Sequence, residues 1–241
     1  MTERRTGILG GTFDPIHYGH LNIAEAAEAA LGLTQMFVVT ANIPPHRRQP
    51  IASAYERYAM VVLAIDKRPG WRASDMELRA EGPSYTSGTL ARFRERGYLR
   101  TELFFVIGAD AFADIAAWHD YPEILDHAHF AVVSRPGFSV AALPKMLPAL
   151  ANRMARPPFD AHRGGPPLIF LIDAPTADVS GTAIRARCEA GQPIDGLVPP
   201  NVQQYIEQHG LYTSKIPGRR AADVPSAAAA GRLHGKNRQA P

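Results

Sequence analysis

Gly10-Gly11-Thr12-Phe13-Asp14-Pro15-Ile16-His17-Tyr18-Gly19-His20 follows a short apolar run, Gly7-Ile8-Leu9, and leads into strong helix formers, Leu21 to Leu31. The order is strand, glycine turn, helix N-terminus. It offers an anion unpaired backbone N–H groups and the positive end of a helix dipole. Two glycines let a phosphate approach the backbone with no Cβ in the way. Pro15 fixes the chain as it enters the helix. His17 and His20 stand three apart, so on a helical first turn both rings project from one face. Two imidazoles beside a helix N-terminus make a seat for a charged phosphoryl group. A tight turn that happens to hold two histidines is the plainer alternative, but turn chemistry explains neither the pair nor its spacing.

Outward from this stretch, apolar β-rich runs alternate with helical patterns. Met36–Thr40, Leu103–Ile107, Phe130–Ser134 and Leu168–Ile172 read as buried strands. Helices are predicted near Leu21–Leu31, Ala54–Ile65, Thr86–Arg96, Tyr121–Asp126 and Thr182–Ala190, the second of them opened by a capping box, Ser53-Ala54-Tyr55-Glu56. The alternation predicts an α/β fold: a doubly wound, mostly parallel sheet covered on both faces. Ligands of such sheets sit beyond the C-terminal strand ends, near the switch in strand order. The first glycine turn, the loop after Thr40 and the turn Gly108-Ala109-Asp110 would all lie there.

The formal charge of +3 misleads. Residues 215–241 hold six Lys/Arg against one Asp, a charge of +5, which leaves 20 Lys/Arg against 22 Asp/Glu, or −2, on residues 1–214. The chain is therefore divided into a domain over 1–214 and a basic tail over 215–241, whose Ala/Pro/Gly/Arg-rich composition predicts disorder. A nucleic-acid-binding body is not indicated. Cys188 is the only cysteine, so no intrachain disulfide forms and a reducing compartment is expected. Its place among helix formers suggests a small packed side chain. No run of about 18 apolar residues occurs, and neither a membrane partner nor a leader is expected, so a cytoplasmic protein is. His127-Ala128-His129 lacks a Cys partner and reads as structural; His162, in a Pro/Gly-rich surface loop, is left unassigned.

A second signature, Val179-Ser180-Gly181-Thr182-Ala183-Ile184-Arg185, lies far downstream of the first. With His17-Tyr18-Gly19-His20 it makes the chain resemble the nucleotidyltransferase superfamily marked by an H-x-G-H motif. Within that superfamily the chain resembles the nicotinate-nucleotide adenylyltransferases, from about Thr6 to Tyr212. Val179 replaces the Ile that opens the family's I-S-x-x-x-I-R. The resemblance implies a Rossmann-like nucleotidyltransferase fold and transfer of the adenylyl group of ATP to nicotinate mononucleotide, on the route to NAD. Mg²⁺ is implied too, bound mainly through ATP phosphates. Such transfer needs no covalent enzyme intermediate: the protein positions the reactants and stabilises charge.

Site residues follow from the same resemblance. His17, His20 and Arg185 are the expected catalytic donors. Gly10, Gly11, Thr12, Phe13, His17, His20, Gly108, Asp110, Ser180, Thr182 and Arg185 are the expected ATP contacts. For Asp110, capping of the next helix competes with an acceptor role towards ribose. For Ser180 and Arg185, a cap plus a surface Arg is the competing structural pattern. Pro44-Pro45-His46-Arg47 resembles the family's P-P-H-K, with Arg for Lys, and places His46 and Arg47 on the mononucleotide phosphate; a stray basic loop is the alternative. Gly82-Pro83-Ser84-Tyr85-Thr86 and Ala117-Trp118-His119 resemble the family's G-P-S-Y-T and T-W-Y, so Tyr85, Thr86, Trp118 and His119 are expected around the pyridine ring. His119 departs from the family's Tyr, and a Trp is more often core than platform.

Rivals within the superfamily act on nicotinamide mononucleotide, phosphopantetheine or CTP. A dinucleotide-binding oxidoreductase would want G-x-G-x-x-G after the first strand and an acid closing the second, where this chain has Gly10-Gly11-Thr12 and Val39-Thr40-Ala41. A non-catalytic nucleotide sensor is disfavoured by the intact histidines and Arg185. The sequence does not decide whether the chain forms a homo-oligomer.

Overall fold

The structure is a computed structural model that describes residues 4–45, 49–159 and 165–213. In chain order its elements are β1 (Thr6–Gly11), α1 (Tyr18–Leu31), β2 (Gln35–Thr40), α2 (Ala54–Ile65), β3 (Trp71–Ser74), α3 (Thr86–Glu95), β4 (Leu103–Gly108), α4 (Ala109–Ala113), β5 (His129–Val133), α5 (Leu143–Met146), β6 (Met154–Ala155), β7 (Ile169–Ile172), α6 (Gly181–Glu189) and α7 (Pro200–Gln208). The strands form one seven-stranded sheet in the order β3-β2-β1-β4-β5-β7-β6, and every pairing is parallel.

Alternation of side chains divides the core between the two faces. Leu9, Val38, Val106, Val133 and Ile172 pack on one side with residues of α1, α2, α6 and α7. Ile8, Val39, Phe105, Ile107 and Val132 pack on the other with residues of α3, α4 and α5. Strands buried on both faces read as continuous apolar runs, which is why five of them stand out in the sequence. β1 pairs with β2 on one side and β4 on the other. The order therefore switches between β1 and β4, and the crevice at their C-terminal ends is where such sheets bind ligands.

Some elements differ from the sequence expectation. The helix expected over Tyr121–Asp126 is only a 3₁₀ turn over Glu123–Asp126, with Pro122 as its N-cap. β3, β6, α5 and α7 were not anticipated. β3 is a four-residue strand broken by the exposed Arg72, β6 is two residues long, and α7 opens on Pro-Asn with only Val202 and Ile206 buried. The capping box of α2 forms as expected: the Ser53 hydroxyl accepts from the Glu56 N–H and the Glu56 carboxylate accepts from the Ser53 N–H. His129 is buried at the start of β5, stacked on Phe104, with Nδ1 accepting from the Leu168 N–H. Among the described residues no helix is long and apolar enough to cross a membrane. His162 and the tail from residue 214 lie outside the described residues.

Candidate active site

β1 delivers Gly10 and Gly11 to the switch point, and the chain then turns sharply through Phe13, whose φ is +51°. The Phe13 ring is buried and fills the space where a Cβ on Gly11 would sit, 2.7 Å from that ring. Gly11 is thus required by packing within the loop itself, a constraint separate from phosphate approach. Asp14 is buried behind the turn. Its carboxylate accepts from the backbone N–H groups of Ile51 at 2.9 Å and Ala52 at 3.1 Å, and from the Tyr212 hydroxyl at 2.8 Å.

His17 is not in the helix. It is the N-cap of α1, in extended backbone, so the pair meets as N-cap and third residue instead of sharing a helical face. The rings nevertheless stack at 3.7 Å between centroids and 27° between planes. The His17 backbone N–H donates to His20 Nδ1 at 3.3 Å, which puts the proton of a neutral His20 on Nε2. Burial, and then the charge of Arg135, lower the His17 pKa to about 3, so its ring is neutral at ordinary pH. Its Nδ1 is buried with no hydrogen-bond partner among the described residues. Gly19 lets two side chains approach the backbone closely: a Cβ there would lie 2.7 Å from an Arg135 nitrogen and 3.0 Å from the His17 ring.

The second motif closes on the first. Ser180 caps α6, its hydroxyl accepting from the Ala183 N–H at 3.2 Å. One turn on, Arg185 donates to the Asp14 carbonyl at 2.6 Å and to the Thr182 hydroxyl at 3.2 Å. Arg135, just past β5, donates to the carbonyls of Gly19 at 2.8 Å and Val179 at 3.4 Å, binding the start of α1 to the approach of α6. Two helix N-termini of opposite halves of the chain therefore converge on one crevice. Beneath them Arg57, 1% exposed, donates to the carbonyls of Thr12, Ala41, Asn42 and Ala52.

On the β4 side, Gly108 is the N-cap of α4 and Asp110 lies in the first turn, exposed, so the expected capping role falls to Gly108's position. The Asp110 carboxylate folds across Gly108, 2.6 Å from where a Cβ would stand. The expected ring segments come together. Tyr85 stacks on His119 at 4.0 Å and 19°, and His119 pairs with Asp120 at 2.9 Å. Thr86 opens α3. Trp118, partly exposed, sets its edge against Phe105 at 6.1 Å. The Ser84 hydroxyl accepts from the Asn42 N–H and the Ser84 N–H donates to the Ile43 carbonyl, docking this segment on the loop after β2. Behind it the buried Glu77 bonds Thr89 and Ser84, its carboxyl pushed up by burial. His46 and Arg47, expected in the loop after β2, lie outside the described residues.

Sequence reasoning missed Arg57, Arg135 and Glu77. Arg135 carried a usable signal, a basic residue at a strand's carboxyl end before Pro136-Gly137. Arg57 carried none, since an Arg in an amphipathic helix ordinarily faces water.

Comparison with known proteins identifies the family. Residues 8–187 match the family described as cytidylyltransferase-like. A chain from Salmonella gallinarum described as a probable nicotinate-nucleotide adenylyltransferase is 40% identical over 206 residues, covering 85% of this chain and 97% of its own. The nicotinate-nucleotide adenylyltransferase of Salmonella typhimurium is 39% identical with the same coverage. In fold, the chain is similar to the Plasmodium falciparum nicotinic acid mononucleotide adenylyltransferase complexed with NaAD, with a TM-score of 0.67 and 19% identity over 87% of this chain and 97% of that one. The same protein complexed with APC gives 0.65. The chain belongs to the nicotinate-nucleotide adenylyltransferases of the cytidylyltransferase-like family.

Proposed function

We propose that the chain transfers the adenylyl group of ATP to nicotinate mononucleotide, forming nicotinate adenine dinucleotide and pyrophosphate. The observation that carries this is the convergence of two helix N-termini, one bearing the stacked His17–His20 pair and the other tied across the crevice by Arg185. A polyanion is the ligand such a crevice suits.

A phosphate oxygen of the mononucleotide attacks the α-phosphorus of ATP. The bond from that phosphorus to the bridging oxygen breaks, and pyrophosphate leaves with the electron pair. His20, with its proton on Nε2, donates to the transferring phosphoryl group. His17, held neutral, stacks behind His20 and fixes its plane. Ser180, Thr182 and Arg185 hold the ATP phosphates from the α6 side, and Gly10 to Phe13 line the α1 side. Gly108 and Asp110 face the ribose. Tyr85, Thr86, Trp118 and His119 enclose the pyridine ring, with backbone N–H groups for its carboxylate.

Mg²⁺ enters with ATP as part of the substrate, shielding phosphate charge. Among the described residues no three His, Cys, Asp or Glu side chains gather to hold a metal. The Asp14 carboxylate is already committed to Tyr212, Ile51 and Ala52. Phosphate oxygens and water suit the ion's coordination shell.

The test is product identity. Incubated with ATP, Mg²⁺ and nicotinate mononucleotide, the chain yields pyrophosphate and the dinucleotide in equal amounts. ATP hydrolysis without dinucleotide would reject the assignment.

A further inference from the structure

Tyr212 reaches back 198 residues to donate its hydroxyl to Asp14 at 2.8 Å. Both partners are shut away from solvent, Tyr212 at 8% exposed and Asp14 at 9%. The carboxylate can only accept, so the tyrosine must donate, and burial with the facing carboxylate holds its proton in place. Tyr212 adopts φ +64°, a conformation a bulky residue takes only when its surroundings dictate it. Those surroundings are α7, whose Val202 and Ile206 join the core with Leu211, and Arg57, whose charge acts on both Tyr212 and Asp14.

Asp14 is where three parts of the chain meet. Its side chain takes Tyr212 and the two N–H groups before α2, and its backbone carbonyl takes Arg185 at 2.6 Å. A shift of the Asp14 peptide moves the acceptor that aims Arg185. Small misplacements of a group that orients phosphate are costly to a reaction that works by positioning.

We propose that Tyr212 is a positioning residue for adenylyl transfer, acting through Asp14 to fix Arg185 against the ATP phosphates. This rests on the role given to Arg185 under the proposed function. The hydroxyl does nothing chemical itself; it completes the hydrogen bonding that holds Asp14 in one orientation.

Steady-state kinetics on four variants test this. Tyr212→Phe keeps the ring and loses the bond: kcat falls about tenfold while KM for nicotinate mononucleotide stays within about twofold. Arg185→Lys lowers kcat further, and adding Tyr212→Phe to it changes little more, because the two act in one unit. Val202→Ala loosens the fully buried packing of α7 but keeps the hydroxyl, and its kcat stays at the wild-type value at a temperature well below its unfolding midpoint. Wild-type kcat in Tyr212→Phe, fully multiplicative losses in the double variant, or an equal loss in Val202→Ala would each overturn the inference. A wild-type chain inactive on ATP and nicotinate mononucleotide would overturn the functional assignment along with it. Normal wild-type turnover with any of those three outcomes overturns the role of Tyr212 alone.

Discussion

Arg135 donates to the backbone carbonyl of Gly19 at 2.8 Å across 116 residues of chain. That bond brings the guanidinium so close to Gly19, which follows Tyr18 between the two histidines, that a Cβ there would displace it. It also sets a cation beside His17, which helps keep that ring neutral. A guanidinium spans the Gly19 and Val179 carbonyls at once, and an ammonium cannot reproduce the fork. Arg135→Lys is expected to lower kcat/KM for ATP by about tenfold, with little change in the unfolding midpoint. Unchanged kinetics would separate this link from function.

Arg57 is a stability matter first. Its guanidinium satisfies four carbonyls from the first loop and the loop after β2, in a place water does not reach. Arg57→Met would leave those carbonyls without partners and Asp14 with Arg185 as its remaining neighbouring cation. The expected loss is about 3 kcal/mol or more, read from urea unfolding. A loss under about 1 kcal/mol would show that the loops hold together without it.

Acid should weaken the fold through two buried imidazoles. Burial lowers His17 to about 3 and His129 to about 4, from an ordinary 6.5, with Arg135 and Arg153 contributing respectively. The unfolded chain therefore binds more protons than the folded one between those values, so stability falls as pH drops from about 6.5 towards 4. The buried Glu77 carboxyl, held above its usual range, acts in the opposite sense and loses stability as pH rises through its folded value. Calorimetry between pH 7 and 4.5 should show a falling midpoint, and His129→Phe a shallower slope. A slope identical to wild type would remove His129 from the effect.

What was legible in the sequence was local. β1, β2, β4, β5 and β7 announce themselves because burial on both faces demands unbroken apolar runs. The two motifs sit at helix starts, where caps and dipoles depend on near neighbours. The residues that hold the motifs together were missed, and of them only Arg135 carried a signal, at a strand's carboxyl end before Pro136-Gly137. Arg57 lies 45 residues from Thr12, Arg135 116 from Gly19 and Tyr212 198 from Asp14, and only the fold supplies those meetings. The sequence put the His17 and His20 rings on one face of a helical first turn; in the structure His17 caps the helix instead of belonging to it, and the stacking of the two rings was not foreseen.

His20 is the donor nearest the chemistry in this account. His20→Ala should lower kcat by roughly 10² or more with the fold intact, since it removes a donor aimed at developing charge. Because His17 is stacked on His20, circular dichroism and the unfolding midpoint must accompany the kinetics. Full turnover in a folded variant would remove His20 from catalysis.

The most direct measurement is pyrophosphate release from ATP with nicotinate mononucleotide, nicotinamide mononucleotide and phosphopantetheine run side by side. Selectivity for the acid over the amide needs donors around the ring, and a site built to hydrogen-bond one group rejects its analogue strongly. The segments Gly82 to Thr86 and Ala117 to His119 contain no Asp or Glu, and the neighbouring Asp120 is paired with His119. The account predicts a preference for nicotinate mononucleotide of at least ~10²-fold in kcat/KM over the amide, and no turnover with phosphopantetheine. Comparable rates with the two pyridine nucleotides, or faster release with phosphopantetheine, would contradict it.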